Sequence, residues 1–363
     1  MNGILCLEDG EIFQGRIFGH IRTTIGELCF NTSMSGYQEI LTDPSYFGQI
    51  VVMSYPIIGN YGTNSRDNES YQPFLSGFII REYCRHPSNP RMELSLSEFL
   101  KRNRVSAIEE IDTRALVRHI REKGEMRAAI APLPVDRGEL LKKVQNHPKL
   151  EGRDLVSSVT TKSPYRFGHP KGIKIVVYDF GVKRNILRLL KEEASVIVVP
   201  AQTDPETVLG LDPAGIILSN GPGDPAAVTY AIDNIKKLLG RVPILGICLG
   251  HQLLGLALGG RTYRLKFGHH GGNHPVKDLR SGKILITVQN HSFALDPASL
   301  ERSGAEITHI NLNDGTLEGF FHPEYRIYSY QFHPEASPGP TEANQLIQSF
   351  LDRCRSGRTS RRF

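Results

Sequence analysis

One cysteine stands where the sequence predicts a strand-to-helix turn. Cys248 is the centre of Gly246-Ile247-Cys248-Leu249-Gly250, with an apolar run before it and a helical pattern after it. A nucleophile flanked by small residues at such a turn is the pattern of a nucleophile elbow, which exposes the side chain at the carboxyl edge of a sheet. A thiol there also lies at a helix N-terminus, whose partial positive charge favours the thiolate. Taken alone, a cysteine in an apolar run is more often a buried core residue. The elbow, together with the partners described next, predicts a nucleophile instead.

A nucleophilic cysteine needs a base, and the base needs a group that orients it. Phe332-His333-Pro334-Glu335 offers both directly after a predicted strand, with Pro334 restricting the backbone between them. Taken alone, this tetrapeptide is more typical of a surface histidine beside a chance acid. Together with the elbow at Cys248, it predicts a triad of thiol, imidazole and carboxylate.

A glycine-rich turn follows another predicted strand, at the edge where parallel sheets bind ligands. Gly221 and Gly223, with Ala226, formally satisfy G-x-G-x-x-A, so a dinucleotide site is an alternative interpretation. Asp224 would place a negative charge beside the pyrophosphate, which disfavours it. We expect instead that the backbone N–H groups of Gly221 and Leu249 form an oxyanion hole.

Three imidazoles cluster in the glycine-rich segment 268–274, at His269, His270 and His274. Its glycines predict a flexible loop, and no cysteine or second acidic cluster adjoins it, so we predict no catalytic metal here. The sequence has no GxxxxGK[ST] and therefore no P-loop.

The elements that must position these groups divide the chain at about residue 150. From residue 173 onward, short β-branched runs alternate with helical patterns, which predicts βαβ units and a mostly parallel sheet flanked by helices. The predicted strands there are 173–179, 195–200, 214–220, 242–247, 283–290, 317–322 and 326–332, and the helices are 182–193, 226–239, 252–260 and 341–355.

The first part predicts a smaller, mixed α+β domain with strands at 11–18, 25–31, 49–55 and 77–83. Its clearest helix runs over 113–123, capped by Asp112 and stopped by Gly124. We predict domains at 1–150 and 172–358, a linker at 151–171 and a basic tail at 359–363.

Composition excludes several classes of function. The net charge is +5, but the last eleven residues contain five arginines and no acid, and without them bases and acids balance. Such a chain lacks the footprint of a nucleic-acid binder. Five scattered cysteines without CxxC spacing, and no apolar leader, predict a soluble, cytoplasmic protein with free thiols.

These motifs resemble a known family. GICLGHQ (246–252) and FHPE (332–335) are similar to the two signature segments of class I glutamine amidotransferases. In the first domain, FNTSMSGYQEILTDPSYFGQIVVMSYPIIGNYG (30–62) closely resembles the small subunits of carbamoyl-phosphate synthetase. YDFGVKRNILR, SNGPGDP, GHHGGNHPV and FHPEASPGP strengthen that match.

The resemblance implies a role for each matching residue. Cys248 would attack the side-chain amide of glutamine, and His333 would carry protons to the leaving ammonia. Glu335 would hold the imidazole. A glutamyl thioester and free ammonia would result. The implied glutamine contacts are Ser45, Gly221, Gly223, Leu249, Gln252, Asn290, Ser292 and Phe293. Ser292 replaces the glycine usual in the family, which is tolerable if its φ is not positive.

The resemblance also implies a partner, the large subunit, which would combine the ammonia with bicarbonate using ATP and Mg. This chain itself would need no metal or cofactor and would bind neither nucleic acid nor membrane. The carbamoyl phosphate could serve pyrimidine synthesis, arginine synthesis or both. One alternative is an amidotransferase of anthranilate or GMP synthesis, which is not expected to share the first domain. Another is a non-catalytic binding protein, against which the intact triad argues.

Overall fold

The computed structural model describes residues 1–359, with side chains up to Ser356, and divides them into two compact units. The N-terminal unit comprises Met1–Leu150 and the short segment Lys266–Gly271, and the C-terminal unit comprises the rest. Apart from the backbone of Thr359, the predicted basic tail lies outside the described residues. No helix of residues 1–359 is both long and apolar enough to cross a membrane.

The N-terminal unit is built on a closed barrel, which the sequence patterns did not predict. Its strands are β1 (Asn2–Leu7), β2 (Ile12–Gly19), β3 (Thr24–Asn31), β4 (Gln49–Met53), β5 (Ile57–Ile58), β6 (Gly77–Ile79), β7 (Glu82–Tyr83), β8 (Ser106–Glu109) and β9 (Met126–Pro132). Its helices are α1 (Tyr37–Thr42), α2 (Leu96–Arg102), α3 (Thr113–Lys123) and α4 (Arg137–Asn146). The barrel closes in the order β1-β2-β8-β6-β4-β3-β9, while β5 and β7 pair separately.

Apolar side chains that alternate along the strands stabilise the barrel by packing on its two faces. One buried cluster takes side chains from all seven strands, as expected of a barrel interior, and includes Leu5 and Leu7 of β1. Ile4 and Cys6, pointing the other way, join the cluster that α4 completes.

The C-terminal unit contains a ten-stranded sheet with a parallel centre. Its strands are β10 (Tyr165–Phe167), β11 (Ile173–Asp179), β12 (Ala194–Pro200), β13 (Gly215–Leu218), β14 (Ile244–Ile247), β15 (Thr262–Asp278, partly in the other unit), β16 (Ile284–Leu295), β17 (Glu306–Asn311), β18 (Leu317–His322) and β19 (Ile327–Tyr330). Its helices are α5 (Val156–Val159), α6 (Arg184–Leu190), α7 (Pro205–Gly210), α8 (Thr229–Leu238), α9 (Leu249–Ala257) and α10 (Asn344–Thr359).

Strands β12, β11, β13, β14 and β19 are neighbours and parallel, as the sequence predicts for this domain. β10 at one side, and β18 and β17 at the other, extend this centre antiparallel. Val176 and Tyr178 of β11 pack on the side of α8 and α9, whereas Ile175 and Val177 pack on the side of α6 and α10. The sheet is therefore the middle layer between two layers of helices.

Two predictions of irregular structure differ from what is observed. Segment 268–274 lies inside strand β15 and is not a flexible loop. Backbone pairing stabilises an extended chain even where glycines disfavour it, as the bond from Thr32 N–H to the His270 carbonyl illustrates within the N-terminal unit (3.2 Å). Residues 151–171, expected to be a linker, contain α5 and β10, and β10 pairs with β12.

The predicted ends of α3 are confirmed. Asp112 accepts a hydrogen bond from the Ala115 N–H at 3.0 Å, and Gly124 follows the helix with a φ of 98°. We expect Asp112→Ala to lower the free energy of unfolding by roughly 0.5–2 kcal/mol, because an N–H of the first turn loses its acceptor. Denaturant titration tests this, with Asp112→Asn as the matched control that keeps a capping oxygen. An unchanged unfolding midpoint in the alanine variant would show that the cap contributes nothing.

Candidate active site

The turn after β14 forces Cys248 into a strained conformation. The backbone of Cys248 has φ 52° and ψ −104°, a region that residues with a side chain rarely adopt. The Cys248 N–H donates to the Tyr330 carbonyl of β19 at 2.8 Å, which fixes the turn to the next strand. Such strain persists only where the surroundings enforce it, and it concentrates at functional sites.

The small residues around Cys248 are required by close backbone approach. A Cβ on Gly250 would lie 2.1 Å from the Leu218 carbonyl oxygen, a distance that atoms cannot adopt. A Cβ on Gly246 would lie 2.8 Å from the Gly250 carbonyl oxygen. The elbow predicted from the sequence therefore has the tight geometry that its glycines imply.

His333 and Glu335 form a buried pair beyond the end of β19. Nδ1 of His333 lies 2.6 Å from Oε1 of Glu335, and both side chains are fully buried. Burial acts to lower the pKa of His333, but the negative charges of Glu335 and Cys248 outweigh it and raise that pKa well above its ordinary value. Nδ1 of His333 is occupied by Glu335, and the side chain also hydrogen-bonds Cys248, so Nε2 can exchange a proton with the thiol.

Lys183 is a buried cation that sequence reasoning did not single out. Its Nζ lies 3.0 Å from Oε1 of Glu335, so this one oxygen meets both Lys183 and His333. Burial acts to raise the pKa of Glu335, but Lys183 and His333 hold it well below the usual range. Glu335 is therefore a carboxylate at neutral pH. A lysine four residues after the end of β11, at the sheet edge that carries the other groups, is the signal that would have revealed it.

Further hydrogen bonds fix the backbone at Glu335 and Ala336. Nζ of Lys183 also donates to the Ala336 carbonyl, and Nδ2 of Asn185 donates to the Glu335 carbonyl at 2.6 Å. The Lys183 N–H donates to Oδ1 of Asn220 at 3.1 Å. The turns that follow β11 and β13 thus support the position of the orienting acid.

Gly221 and Leu249, the predicted oxyanion-hole residues, are adjacent. A Cβ on Gly221 would lie 2.8 Å from Cδ2 of Leu249 and 2.2 Å from the Phe180 carbonyl oxygen, so only glycine fits. Leu249 is the first residue of α9, where a backbone N–H has no partner within the helix. Gly221 thus packs against the residue that follows the nucleophile, and the oxyanion hole stays a prediction.

Cys248 has one of the other predicted contact residues as a direct neighbour, and two more bond to each other. Its Sγ lies 3.5 Å from the Asn290 carbonyl oxygen, and Nε2 of Gln252 donates to the Phe293 carbonyl at 2.7 Å. Ser292 lies in β16 without a positive φ, so serine is accommodated where a glycine is usual in the family.

The other two predicted residues, Gly223 and Ser45, are described by their local surroundings. Gly223, with φ 90°, has Leu155 and Arg153 as its neighbours. Ser45 belongs to the N-terminal unit, where it is buried in the 3-10 turn Pro44–Tyr46 and its N–H donates to Oδ1 of Asp43 at 2.9 Å. The glutamine contacts of Gly223 and Ser45 stay predictions.

Comparison with known proteins assigns both units. Residues 176–353 match the family model of class I glutamine amidotransferases, which is the class that the elbow and its partners define. Residues 5–130 match the model described as carbamoyl-phosphate synthase small chain, CPSase domain.

Similar relatives extend over nearly the whole chain. Carbamoyl phosphate synthase small chains are 51% identical in Syntrophotalea carbinolica (99% of this chain, 100% of the relative) and 51% identical in Bacillus caldolyticus (96% and 95%). That of Nitratidesulfovibrio vulgaris is 48% identical over 98% of this chain and 99% of its own. The chain belongs to the carbamoyl phosphate synthase small chain family, and it is the glutamine amidotransferase type of subunit of that ligase.

The position of Lys183 generates a test. We expect Lys183→Met to lower the free energy of unfolding by about 3–5 kcal/mol at neutral pH, because the Glu335 carboxylate would stay buried beside one cation fewer. The pKa of Glu335 would rise, since burial raises it and Lys183 lowers it. A carboxyl group with a lowered pKa stabilises the fold above its unfolded pKa, and this stabilisation is lost as the pH falls through the folded pKa. The loss should therefore be complete at a higher pH in the variant, because only the folded pKa has risen.

Denaturant titration over a series of acidic pH values measures both effects. Lys191→Met is the matched control, since Lys191 forms only an exposed pair with Glu192 at 3.5 Å and should change stability by less than about 0.5 kcal/mol. Equal stability losses in the two variants would contradict the role given to Lys183.

Proposed function

We propose that this chain hydrolyses L-glutamine to glutamate and ammonia through Cys248, His333 and Glu335, and delivers the ammonia to a large subunit that makes carbamoyl phosphate. One observation carries the proposal. A fully buried imidazole, oriented by a carboxylate at 2.6 Å, shares its site with a cysteine held in a strained elbow. A histidine that only packs in the core does not require both an orienting carboxylate and a strained cysteine beside it.

In the first half-reaction, Sγ of Cys248 attacks the side-chain amide carbon of glutamine and a C–S bond forms. His333 takes the thiol proton and passes it through Nε2 to the amide nitrogen, so the C–N bond breaks and ammonia leaves. Glu335 keeps Nδ1 of the imidazole as the donor and balances its charge. The backbone N–H groups of Gly221 and Leu249 stabilise the oxyanion.

In the second half-reaction, water attacks the glutamyl thioester. His333 now takes a proton from the water and returns it to the sulfur as the C–S bond breaks, releasing glutamate. We assign the contacts to the rest of glutamine to Gln252, Asn290, Ser292 and Phe293, with Gly223 and Ser45 as further candidates. The steps use only this chain's own groups and call for no metal or cofactor.

Free ammonia in water is protonated and diluted, so a glutaminase of this kind is useful only beside an enzyme that consumes ammonia. The relatives' name, small chain of carbamoyl phosphate synthase, supports a large chain as that partner. The large subunit would combine the ammonia with bicarbonate, using ATP and Mg.

We expect Cys248→Ala to abolish glutamine-dependent synthesis of carbamoyl phosphate by the complex and to leave ammonia-dependent synthesis intact, because only the thioester is lost. The assay measures carbamoyl phosphate formed from each nitrogen source. Cys84→Ala is the control, since Cys84 is a free, half-buried thiol of the N-terminal unit. Retained glutamine use by Cys248→Ala would refute the proposed nucleophile.

A further inference from the structure

Gln331 lies at the end of β19, two residues before His333, and no role has been assigned to it so far. Its side chain is fully buried, and its backbone N–H donates to the Glu318 carbonyl at 2.9 Å. Nε2 of Gln331 lies 3.8 Å from Sγ of Cys248. Hydrogen bonds to sulfur are longer than those to oxygen, because the sulfur atom is larger and its charge more diffuse. This distance therefore corresponds to an N–H···S contact.

A chain of hydrogen bonds determines which end of the Gln331 amide faces the sulfur. A backbone carbonyl only accepts, so the group of Gln252 that lies 2.7 Å from the Phe293 carbonyl must be its NH₂. The same Nε2 of Gln252 lies 3.0 Å from the Gln331 amide, which must therefore present its oxygen there. The NH₂ group of Gln331 is left facing Cys248.

The other neighbour of the sulfur has the opposite preference. The Asn290 carbonyl oxygen, 3.5 Å from Sγ, can accept a bond from the neutral thiol but repels an ionised one. An amide N–H favours the ionised sulfur instead. Since Cys248 is buried and a thiolate away from water needs donors, the contact with Gln331 favours the state that attacks the substrate.

We propose that Gln331 is a further catalytic residue, whose amide N–H donates to the Cys248 thiolate and is aimed at it by Gln252 and the Phe293 carbonyl. The inference rests on the proposed function of Cys248. It also gives Gln252 a task apart from binding glutamine, because Gln252 sets the orientation of the donor.

The test compares two Gln331 variants of the full chain. Gln331→Met keeps the length of the side chain and removes the donor, whereas Gln331→Glu is nearly isosteric and places an oxygen against the sulfur. Alkylation by iodoacetamide is followed across pH on the peptide that carries Cys248, because the partly exposed Cys84 also reacts. Gln348→Met is the matched control. Gln348 lies on α10, and its amide donates to Glu193 at 3.0 Å.

We expect alkylation of Cys248 at neutral pH to slow by about tenfold in Gln331→Met and by more in Gln331→Glu, with the pH profile moving to higher pH by about one unit. The kcat of glutaminase activity should fall with little change in KM, and Gln348→Met should match the wild type. An unchanged alkylation profile in either Gln331 variant would overturn the inference, and a raised KM alone would assign Gln331 to substrate binding.

The Cys248→Ala variant separates failure of this inference from failure of the proposed function. If Cys248→Ala keeps its glutaminase activity, the proposed function itself is wrong. If Cys248→Ala is inactive while both Gln331 variants alkylate like the wild type, only the role of Gln331 is wrong.

Discussion

The catalytic arrangement depends on the burial of opposite charges against one another. Lys183, Glu335 and His333 are excluded from water, and a buried ion without a partner is destabilising by several kcal/mol. Oε1 of Glu335 contacts both cations, at 3.0 Å from Nζ of Lys183 and 2.6 Å from Nδ1 of His333. The excess positive charge of this group can be balanced by an ionised Cys248. The electrostatics that stabilise the interior therefore also favour a charged nucleophile.

The parallel centre of the sheet brings these charges together from distant parts of the sequence. β11, β13, β14 and β19 run in one direction, so the residues that follow them emerge at one edge. Lys183, Gly221, Cys248 and His333 each come shortly after one of these strands. A slip of one residue in any pairing would turn every side chain of that strand to the other face of the sheet. The apolar layers on both sides fix the register, and the register in turn fixes the positions of the site residues.

How much could be predicted from the sequence depends on how local the signal was. The elbow at Cys248 and the helix start at Asp112 are short patterns set by backbone sterics and hydrogen bonding, and both were predictable. The closed barrel was not, because its closure depends on pairings such as β1 with β9, which are far apart in the sequence. The glycine-rich segment 268–274 predicted a loop because composition does not reveal the neighbouring strands. Lys183 and Gln331 were missed for a related reason, since their roles arise from contacts with residues 152 and 83 positions away.

The protonation state of His333 tests the central claim most directly. Histidine imidazoles labelled with ¹⁵N report their charge by NMR, and the spectrum of His333→Asn identifies the signal of His333. The account predicts an imidazolium at neutral pH that loses its proton only at distinctly alkaline pH, because Glu335 and Cys248 raise its pKa. A His333 that titrates near the ordinary value of about 6.5, or that is neutral throughout, would contradict the account.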